Sequence, residues 1–292
     1  MTTHATGLDP TPPEQGEALE RALDLLADRP LVVLGGAGMS TDSGIPDYRG
    51  PGRPERAPMT YQEFVATPRA QQRYWARSHL GWGRMRHADP NAGHRALAAL
   101  DPQLLITQNV DGLHEAAGSR RMIALHGRIA DVVCLDCREV TSRAGLHDRL
   151  EAANPGFADT HAAAAVRPDG DVELDDTAAF VVPGCATCGG VLKPDVVFFG
   201  ENVPKNRVER CYAAVDALGD GEGAQGALLV VGSSLTVMSG FRFVRRAAKA
   251  GTPVVIVNRG TTRGDELATY KLDVGVAGFL GHLVGARLPG AS

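Results

Sequence analysis

The chain lacks any apolar run approaching the about eighteen residues needed to cross a bilayer, so no membrane-spanning helix is expected. It also lacks a basic excess: 30 Lys and Arg stand against 34 Asp and Glu, a formal net charge of −4. That balance offers no broad basic surface to nucleic acid or to an anionic membrane, and neither is expected as a partner. The opening stretch, MTTHATGLDPTPPEQGEALE, has neither the apolar core nor the cationic start of a secretory leader. A cytoplasmic protein is the expectation. No internal repeat is evident, which argues against a solenoid. What is present is ordinary in bulk. Hydrophobic content of 43% and charged content of 22% suit a globular chain, and 292 residues can bury a substantial core, as one domain with an insertion or as two.

Cysteine is scarce, yet four of the five form two Cys-x-x-Cys pairs, Cys134/Cys137 and Cys185/Cys188. Two thiols three positions apart on a tight turn can face one ion, and two such turns complete a tetrahedral site for zinc. Four thiolates leave no position for water, so a zinc held there is structural. The spacer, residues 138–184, is long for a compact zinc ribbon, so the metal should staple a loop-rich insertion. Two disulfides or unrelated buried cysteines are the alternative, disfavoured because nothing else marks the chain as secreted. Cys211 reads as an ordinary buried residue.

Residues 1–16 are rich in Pro, Gly and Thr and are expected to be irregular. From Glu17 to Ala27, apolar Ala18, Ala22, Leu25 and Leu26 recur at helical spacing. Short apolar runs predict buried strands at Leu31–Leu34, Leu104–Ile106, Val196–Phe199, Leu228–Val231 and Val254–Val257. Helical stretches, Ala92–Leu100, Arg207–Leu218 and Phe241–Ala250, separate several of them. This alternation predicts an α/β fold, a Rossmann-like doubly wound parallel sheet. Two stretches break the rhythm: 45–92, rich in Arg, Pro and aromatics, and 127–192, with both cysteine pairs and the acidic PDGDVELDD. The expected division is a nucleotide-binding domain from 17–44, 93–126 and 193–292, with a small helical, zinc-binding domain formed by insertions 45–92 and 127–192.

Leu31–Leu34 runs into Gly35-Gly36-Ala37-Gly38-Met39-Ser40. Glycines at a strand end let the backbone turn tightly and present N–H donors to a pyrophosphate; a tight structural turn is the alternative. The dehydrogenase fingerprint would need a further glycine where Thr41 stands. Gly44-Ile45-Pro46-Asp47-Tyr48-Arg49 follows, and its acid, ring and guanidinium could cover a nucleotide or form an ion pair beside a packed tyrosine. After Leu104–Ile106 comes Thr107-Gln108-Asn109-Val110-Asp111-Gly112-Leu113-His114. So many polar side chains at a strand's carboxyl end are costly unless they serve a site or one another. Met122–Leu125 then delivers His126-Gly127 just before the first cysteine pair. A lone histidine is more often structural, but this one stands where a cleft should open, and an imidazole can act as a base near neutral pH. His114 is a supporting candidate; His4, His87, His147, His161 and His282 are expected at the surface. Gly232-Ser233-Ser234 and Asn258-Arg259-Gly260 follow two further strands. Each alone could be a helix cap; together they suggest a dinucleotide across the switch point.

These pieces in this order resemble the sirtuins, NAD-dependent protein lysine deacylases. The matching stretches are GAGMS, GIPDYR, TQNVDGLH, HG, both cysteine pairs, KPDVVFFGE (Lys193–Glu201), GSS and the Asn258 turn. GIPDYR, the long cysteine spacer and NRGTTRGDEL look most like the class II branch, which includes the mitochondrial lipoamidase-type sirtuin. The resemblance implies a Rossmann-type domain and a small zinc domain, with NAD and an acyl-lysine peptide entering the cleft between them from opposite sides. It places Gly36, Ala37, Gly38, Asp47, Tyr48 and Arg49 beside the NAD, with Gln108, Asn109, Val110 and Asp111 around its nicotinamide and adjoining ribose. Gly232, Ser233, Ser234, Asn258, Arg259 and Gly260 would hold the adenosine half, with Val276 near the adenine. His126 would be the catalytic base, joined in catalysis by Asn109 and Asp111. Val196, Val197, Phe198, Phe199 and Gly200 would pair with the substrate backbone as an added strand. One departure is Gly35, where the family usually has Thr.

The activity so implied consumes NAD, moves the acyl group from lysine to ADP-ribose and releases nicotinamide. Asp111 would hold the carboxamide in a pose that favours departure, and His126 would take a proton from a ribose hydroxyl. Mono-ADP-ribosyl transfer to protein, or lipoamide removal at the same site, are alternative acceptor reactions. A dehydrogenase is opposed by the absent third glycine, and a passive NAD-sensing module by the dense polar strand end. Tyr74 and Arg77, three apart in QRYWARS, would share a helix face. Some sirtuins use such a pair for acidic acyl groups; an arginine beside a packed tyrosine is the plain alternative.

Overall fold

The computed structural model describes residues 13–45, 58–161, 177–219 and 225–288. Asp47, Tyr48, Arg49 and the acidic stretch 168–176 lie outside the described residues. The strands are β1 (Leu31–Gly35), β2 (Leu104–Thr107), β3 (Met122–Ala124), β4 (Gly127–Cys134), β5 (Val140–Ser142), β6 (Leu192–Val196), β7 (Ala227–Val231), β8 (Val254–Val257) and β9 (Tyr270–Leu272). The first five helices are α1 (Pro13–Ala27), α2 (Tyr61–Ala66), α3 (Pro68–Met85), α4 (Ala92–Leu100) and α5 (Leu113–Ala116). They are followed by α6 (Arg143–Ala153), α7 (Phe157–Thr160), α8 (Lys205–Asp216), α9 (Met238–Lys249) and α10 (Val276–Arg287).

Six strands form one sheet in the order β3-β2-β1-β7-β8-β9, all paired in parallel. From β1 the chain moves outward to β3, then returns to β7 and builds the other half. The reversal between β1 and β7 is the switch point at which such sheets open a crevice. Helices cover both faces, which is why these strands are apolar without alternation. Leu31, Val33, Leu229 and Val255 pack with Leu26 of α1, Leu97 of α4 and Phe279 of α10. Val32, Leu34, Val230 and Ile256 pack with Val215 of α8 and Phe243 of α9. Cys211 lies in that second core, where burial pushes its thiol up to about 12. This is the Rossmann-like doubly wound arrangement. Among the described residues no helix is long and apolar enough to cross a membrane.

Two expectations are corrected here. The run Val196–Phe199 is not a strand of the parallel sheet. β6 ends at Val196 and pairs antiparallel with β4 in a separate sheet, β5-β4-β6. A short apolar run has the same appearance whichever strand it pairs with. The helix expected from Glu17 begins at Pro13, inside the stretch expected to be irregular; proline is at home in a first helical turn.

The small sheet shares a core with α3 and α6, built on Trp75, Val132, Leu146, Leu150, Phe180 and Leu192. Trp75 Nε1 donates to Leu192 O (2.9 Å), so this buried indole is satisfied. The Arg143 guanidinium is buried between the Trp75 and Trp82 rings, 5.3 and 5.0 Å from their centroids. His147, expected at the surface, packs its ring 4.5 Å from that of His79, and burial pushes its pKa down to about 4. His79, His147 and Glu151 cluster closely enough to suggest a metal, but the Arg143 charge acts on both imidazoles and opposes a cation there. Ile45, Trp82, Leu113 and Ile129 form a fourth cluster, which brings α3 and α5 against β4.

Gly35 closes β1 in a buried strand. A Cβ there would lie 3.4 Å from His114 Nε2 and 3.7 Å from Met39 Cγ, ordinary contact distances. Glycine within a strand costs about 0.5–1 kcal/mol relative to alanine. Gly35→Ala is expected to stabilise the protein by that order, seen as a higher urea midpoint at unchanged slope. A lower midpoint would mean that the space beside His114 is not available.

Candidate functional site

The loops after β1 and β7 interlock at the switch point. Gly36 N–H donates to Val231 O (3.0 Å) and Gly38 N–H to Gly232 O (2.8 Å). A Cβ on Gly36 would lie 2.6 Å from Ser233 Cβ, and one on Gly38 2.9 Å from Gly232 Cα. Only glycine admits so close an approach. These two amides donate to carbonyls at and just after the end of β7. Asn91, the N-cap of α4, donates through Nδ2 to Met39 O (2.7 Å) and Ser43 Oγ (3.1 Å), fixing the far side of the glycine loop around Ala37.

The polar residues after β2 bond to one another and to both loops. Ser40 Oγ donates to Asp111 Oδ2 (2.6 Å) and accepts from Asn109 Nδ2 (3.0 Å). Asp111 Oδ1 accepts the Leu113 N–H that opens α5 (3.0 Å). Gln108 Oε1 accepts from Ser233 Oγ (2.7 Å), and the Val110 carbonyl takes Ile129 N–H of β4 (2.9 Å). Ser40, Asn109 and Asp111 thus form one cluster between the ends of β1 and β2, and Gln108 with Ser233 a second between β2 and β7.

His126 sits in the turn from β3 to β4, between the two sheets. Gly127 after it has φ 83°, and a Cβ there would overlap the Asp195 carbonyl, so glycine is required where β4 crosses β6. The His126 ring has Nδ1 2.8 Å from Gln108 O and Nε2 2.7 Å from Ser239 Oγ. A carbonyl only accepts, so Nδ1 carries the proton and Nε2 the lone pair, into which Ser239 donates. Burial pushes the ring's pKa down to about 4; the Gln108 bond works against that shift and the Arg207 charge adds to it. The ring is therefore neutral at pH 7 and able to accept a proton. His114 differs. It is buried behind β1, edge-on to His94 with centroids 4.7 Å apart, and burial pushes its pKa down to about 3.

Past β7, Ser234 Oγ meets Thr236 Oγ1 (3.1 Å). Leu235 then takes φ 57°, a left-handed non-glycine residue. Past β8, Asn258 Nδ2 donates to Arg259 O (2.7 Å), Gly260 N–H to the Asp273 carboxylate (3.2 Å), and Val276 opens α10. On the opposite side, Val197 N–H donates to His126 O (2.8 Å). Lys193, buried, pairs with Glu201 (3.0 Å), and Glu201 Oε2 also accepts Phe198 N–H (2.9 Å). The pair folds Val196–Gly200 so that the Phe199 ring is exposed. The Phe198 ring turns inward instead, against Phe64 and Tyr74 at 5.4 and 5.2 Å. Phe198 and Tyr74 therefore act first as packing.

Cys134, Cys137, Cys185 and Cys188 converge, their sulfurs all within 4.8 Å of one another. Cys134–Cys188 and Cys137–Cys185 Sγ separations are 3.5 and 3.8 Å. A tetrahedral zinc with Zn–S of about 2.3 Å sets its sulfurs about 3.8 Å apart, so the set fits one structural zinc, and the thiols are free of disulfides. The two knuckles repeat each other. Cys134 O accepts Arg138 N–H (3.1 Å) while Cys134 N–H donates to Glu139 O (2.9 Å); Cys185 O accepts Gly189 N–H (2.9 Å) while Cys185 N–H donates to Gly190 O (2.8 Å). Arg138 and Gly189 are both left-handed, at φ 64° and 76°.

The Sir2 family model matches residues 36–239. This chain belongs to the Sir2 family. It is 53% identical over 272 residues to NAD-dependent protein deacetylase 1 of Mycobacterium avium, covering 91% of this chain and 94% of that protein. It is 56% identical over 257 residues to NAD-dependent protein deacetylase 1 of Streptomyces coelicolor, covering 85% and 83%. A solved Sir2–p53 peptide–NAD+ complex superposes with a TM-score of 0.72 at 29% identity, over 94% of this chain and 99% of that one. A Sir2 structure bound to acetylated peptide gives 0.69 at 28%, over 94% and 99%. In this Sir2 chain the sequence reading missed three residues that the site uses: Ser40, Asn91 and Ser239. Ser40 ends the glycine loop and Asn91 has an N-cap signature, so both had a signal; Ser239, in an ordinary helix start, had none.

Knuckle-type sites bind zinc with apparent energies of about 10–16 kcal/mol. Cys185→Ser is therefore expected to lose the one zinc per chain and to melt the β4–β6 sheet. Metal analysis beside hydrogen exchange in β4 checks this; full protection in the metal-free variant would refute the staple.

Proposed function

We propose that this chain is an NAD-dependent protein lysine deacetylase with His126 as its base. The observation that carries the reading is the ring's tautomer: Nδ1–H is held by Gln108 O, and Nε2 is left basic at the junction of the two sheets. Relatives named NAD-dependent protein deacetylase match most of the chain at more than half identity, and solved relatives hold NAD+ or acetylated peptide. When bound, NAD supplies a ribose to receive the acyl group and a nicotinamide to leave. His126 accepts a ribose hydroxyl proton at Nε2. Asn109 and Asp111, tied together through Ser40, are oriented to hold the nicotinamide end. Gln108 and Val110 border that end, Gly36, Ala37 and Gly38 border the NAD, and Gly232, Ser233, Ser234, Asn258, Arg259, Gly260 and Val276 border the adenosine half. Val196–Gly200 takes an extended acyl-lysine peptide as an added strand, through backbone groups that accept many sequences. The class II placement rests on GIPDYR and NRGTTRGDEL. A reducing compartment such as the cytoplasm suits four free thiols arranged for zinc.

Nicotinamide release that depends on an acetyl-lysine peptide, with acetyl-ADP-ribose as co-product, is the test; labelled ADP-ribose left on protein would sink the reading. Losing a positioned base costs about 10²–10⁴-fold, so His126→Ala should still bind NAD but lose deacetylation by that order. The pH profile follows from the sign of the shift. A base with a lowered pKa stays active until pH falls through that value, so the acid limb of kcat/KM should lie near about 4. A limb centred near about 6.5, the ordinary imidazole value, would show that His126 is not the titrating group.

A further inference from the structure

We propose that Ser239 is a positioning residue for His126, its hydroxyl holding the Nε2 lone pair in the direction from which the proton arrives. The inference rests on the reading of His126 as the deacetylation base. Ser239 lies in the first turn of α9, one residue inside the helix. Here the N-cap is Val237, without a side-chain cap, and Ser239 Oγ meets His126 Nε2 at 2.7 Å. Its neighbour Gly240 is as constrained. A Cβ on Gly240 would lie 2.7 Å from Gln108 Nε2, and its φ is not left-handed. The glycine is needed for room, so that the start of α9 can lie against the Gln108 side chain.

Gln108 supplies the carbonyl at Nδ1 and takes the Ser233 hydroxyl at Oε1. Both ring nitrogens are therefore held by groups that are locked to each other: Gln108 at the end of β2, and the Ser239-Gly240 pair on α9. An imidazole anchored at Nδ1 alone can still swing about that bond. A second bond at Nε2 fixes the ring plane before the ribose hydroxyl arrives. The proton moves from the ribose hydroxyl to Nε2, and the Ser239 hydroxyl, a rotor, gives up the lone pair at that moment. Preorganisation of this kind acts on turnover more than on NAD binding.

The test is the series Ser239→Ala, Ser239→Thr and Ser239→Cys. A hydrogen bond of this type is worth about 0.5–1.5 kcal/mol, so Ser239→Ala should lower kcat about 2- to 10-fold while KM for NAD stays within about 2-fold. Threonine should restore turnover and cysteine should fall between, following donor strength. A threonine variant as slow as alanine, or an alanine variant with full kcat, would overturn the proposal. A readout independent of activity is the ¹⁵N resonance of His126 Nε2 in the protein without NAD or peptide. It should shift toward the value of an unbonded acceptor in Ser239→Ala, with Nδ1 still protonated. An unmoved resonance removes the hydrogen bond itself, whereas a moved resonance in a chain that releases no nicotinamide would sink only the deacetylase reading.

Discussion

The hydrogen bond from His126 Nδ1–H to the Gln108 carbonyl joins the turn between β3 and β4 to the end of β2. In energy it is ordinary, about 0.5–1.5 kcal/mol. Its importance lies in position and direction. It decides which ring nitrogen is basic, and it attaches that ring to the parallel sheet just where the chain leaves for the small one. The same turn offers its own carbonyl to Val197 N–H, so the His126 ring and the segment after β6 share one support. Gly127 makes the arrangement possible, because any side chain there would strike Asp195.

Around that turn the two halves of the molecule are held by different physics. The parallel sheet is sandwiched between helices and stands on apolar burial over both faces. The small sheet has three strands, one of them only three residues long, and so small a sheet stands only by packing its apolar face. Its rigidity comes from paired cysteine knuckles, the Trp75 indole bond to Leu192 and the buried Lys193–Glu201 pair. The zinc site touches none of the proposed chemistry.

Several features were legible from residues alone. Leu31–Leu34, Leu228–Val231 and Val254–Val257 have no polar alternation because both faces of their sheet are covered, and each was readable as a buried parallel strand. Cys211 was readable as core. Elsewhere a local pattern left open what each residue would meet. Val196–Phe199 has the same apolar look whether it joins a parallel sheet or an antiparallel one. Gly36 and Gly38 fit a phosphate loop, yet their amides bond to the β7 loop; a glycine signals close approach without saying what approaches. Phe198 lies in the segment expected to meet a peptide, and its ring turns into the core with Phe64 and Tyr74. His147 reads as a surface residue on α6 until His79 of α3 stacks against it.

By itself the sequence determined the α/β alternation, the four-thiol donor set and a histidine delivered to a strand end, because each is a pattern within a few neighbouring residues. Family membership followed from the order of those patterns. Only the tertiary structure decided the strand order with its reversal between β1 and β7, the cross-pairing of the two knuckles, and the tautomer of His126. Those depend on contacts among residues such as Gln108, His126 and Ser239, which lie far apart along the chain. Local spacing encodes helices, strands and turns; which distant groups meet is settled by how the packed layers close.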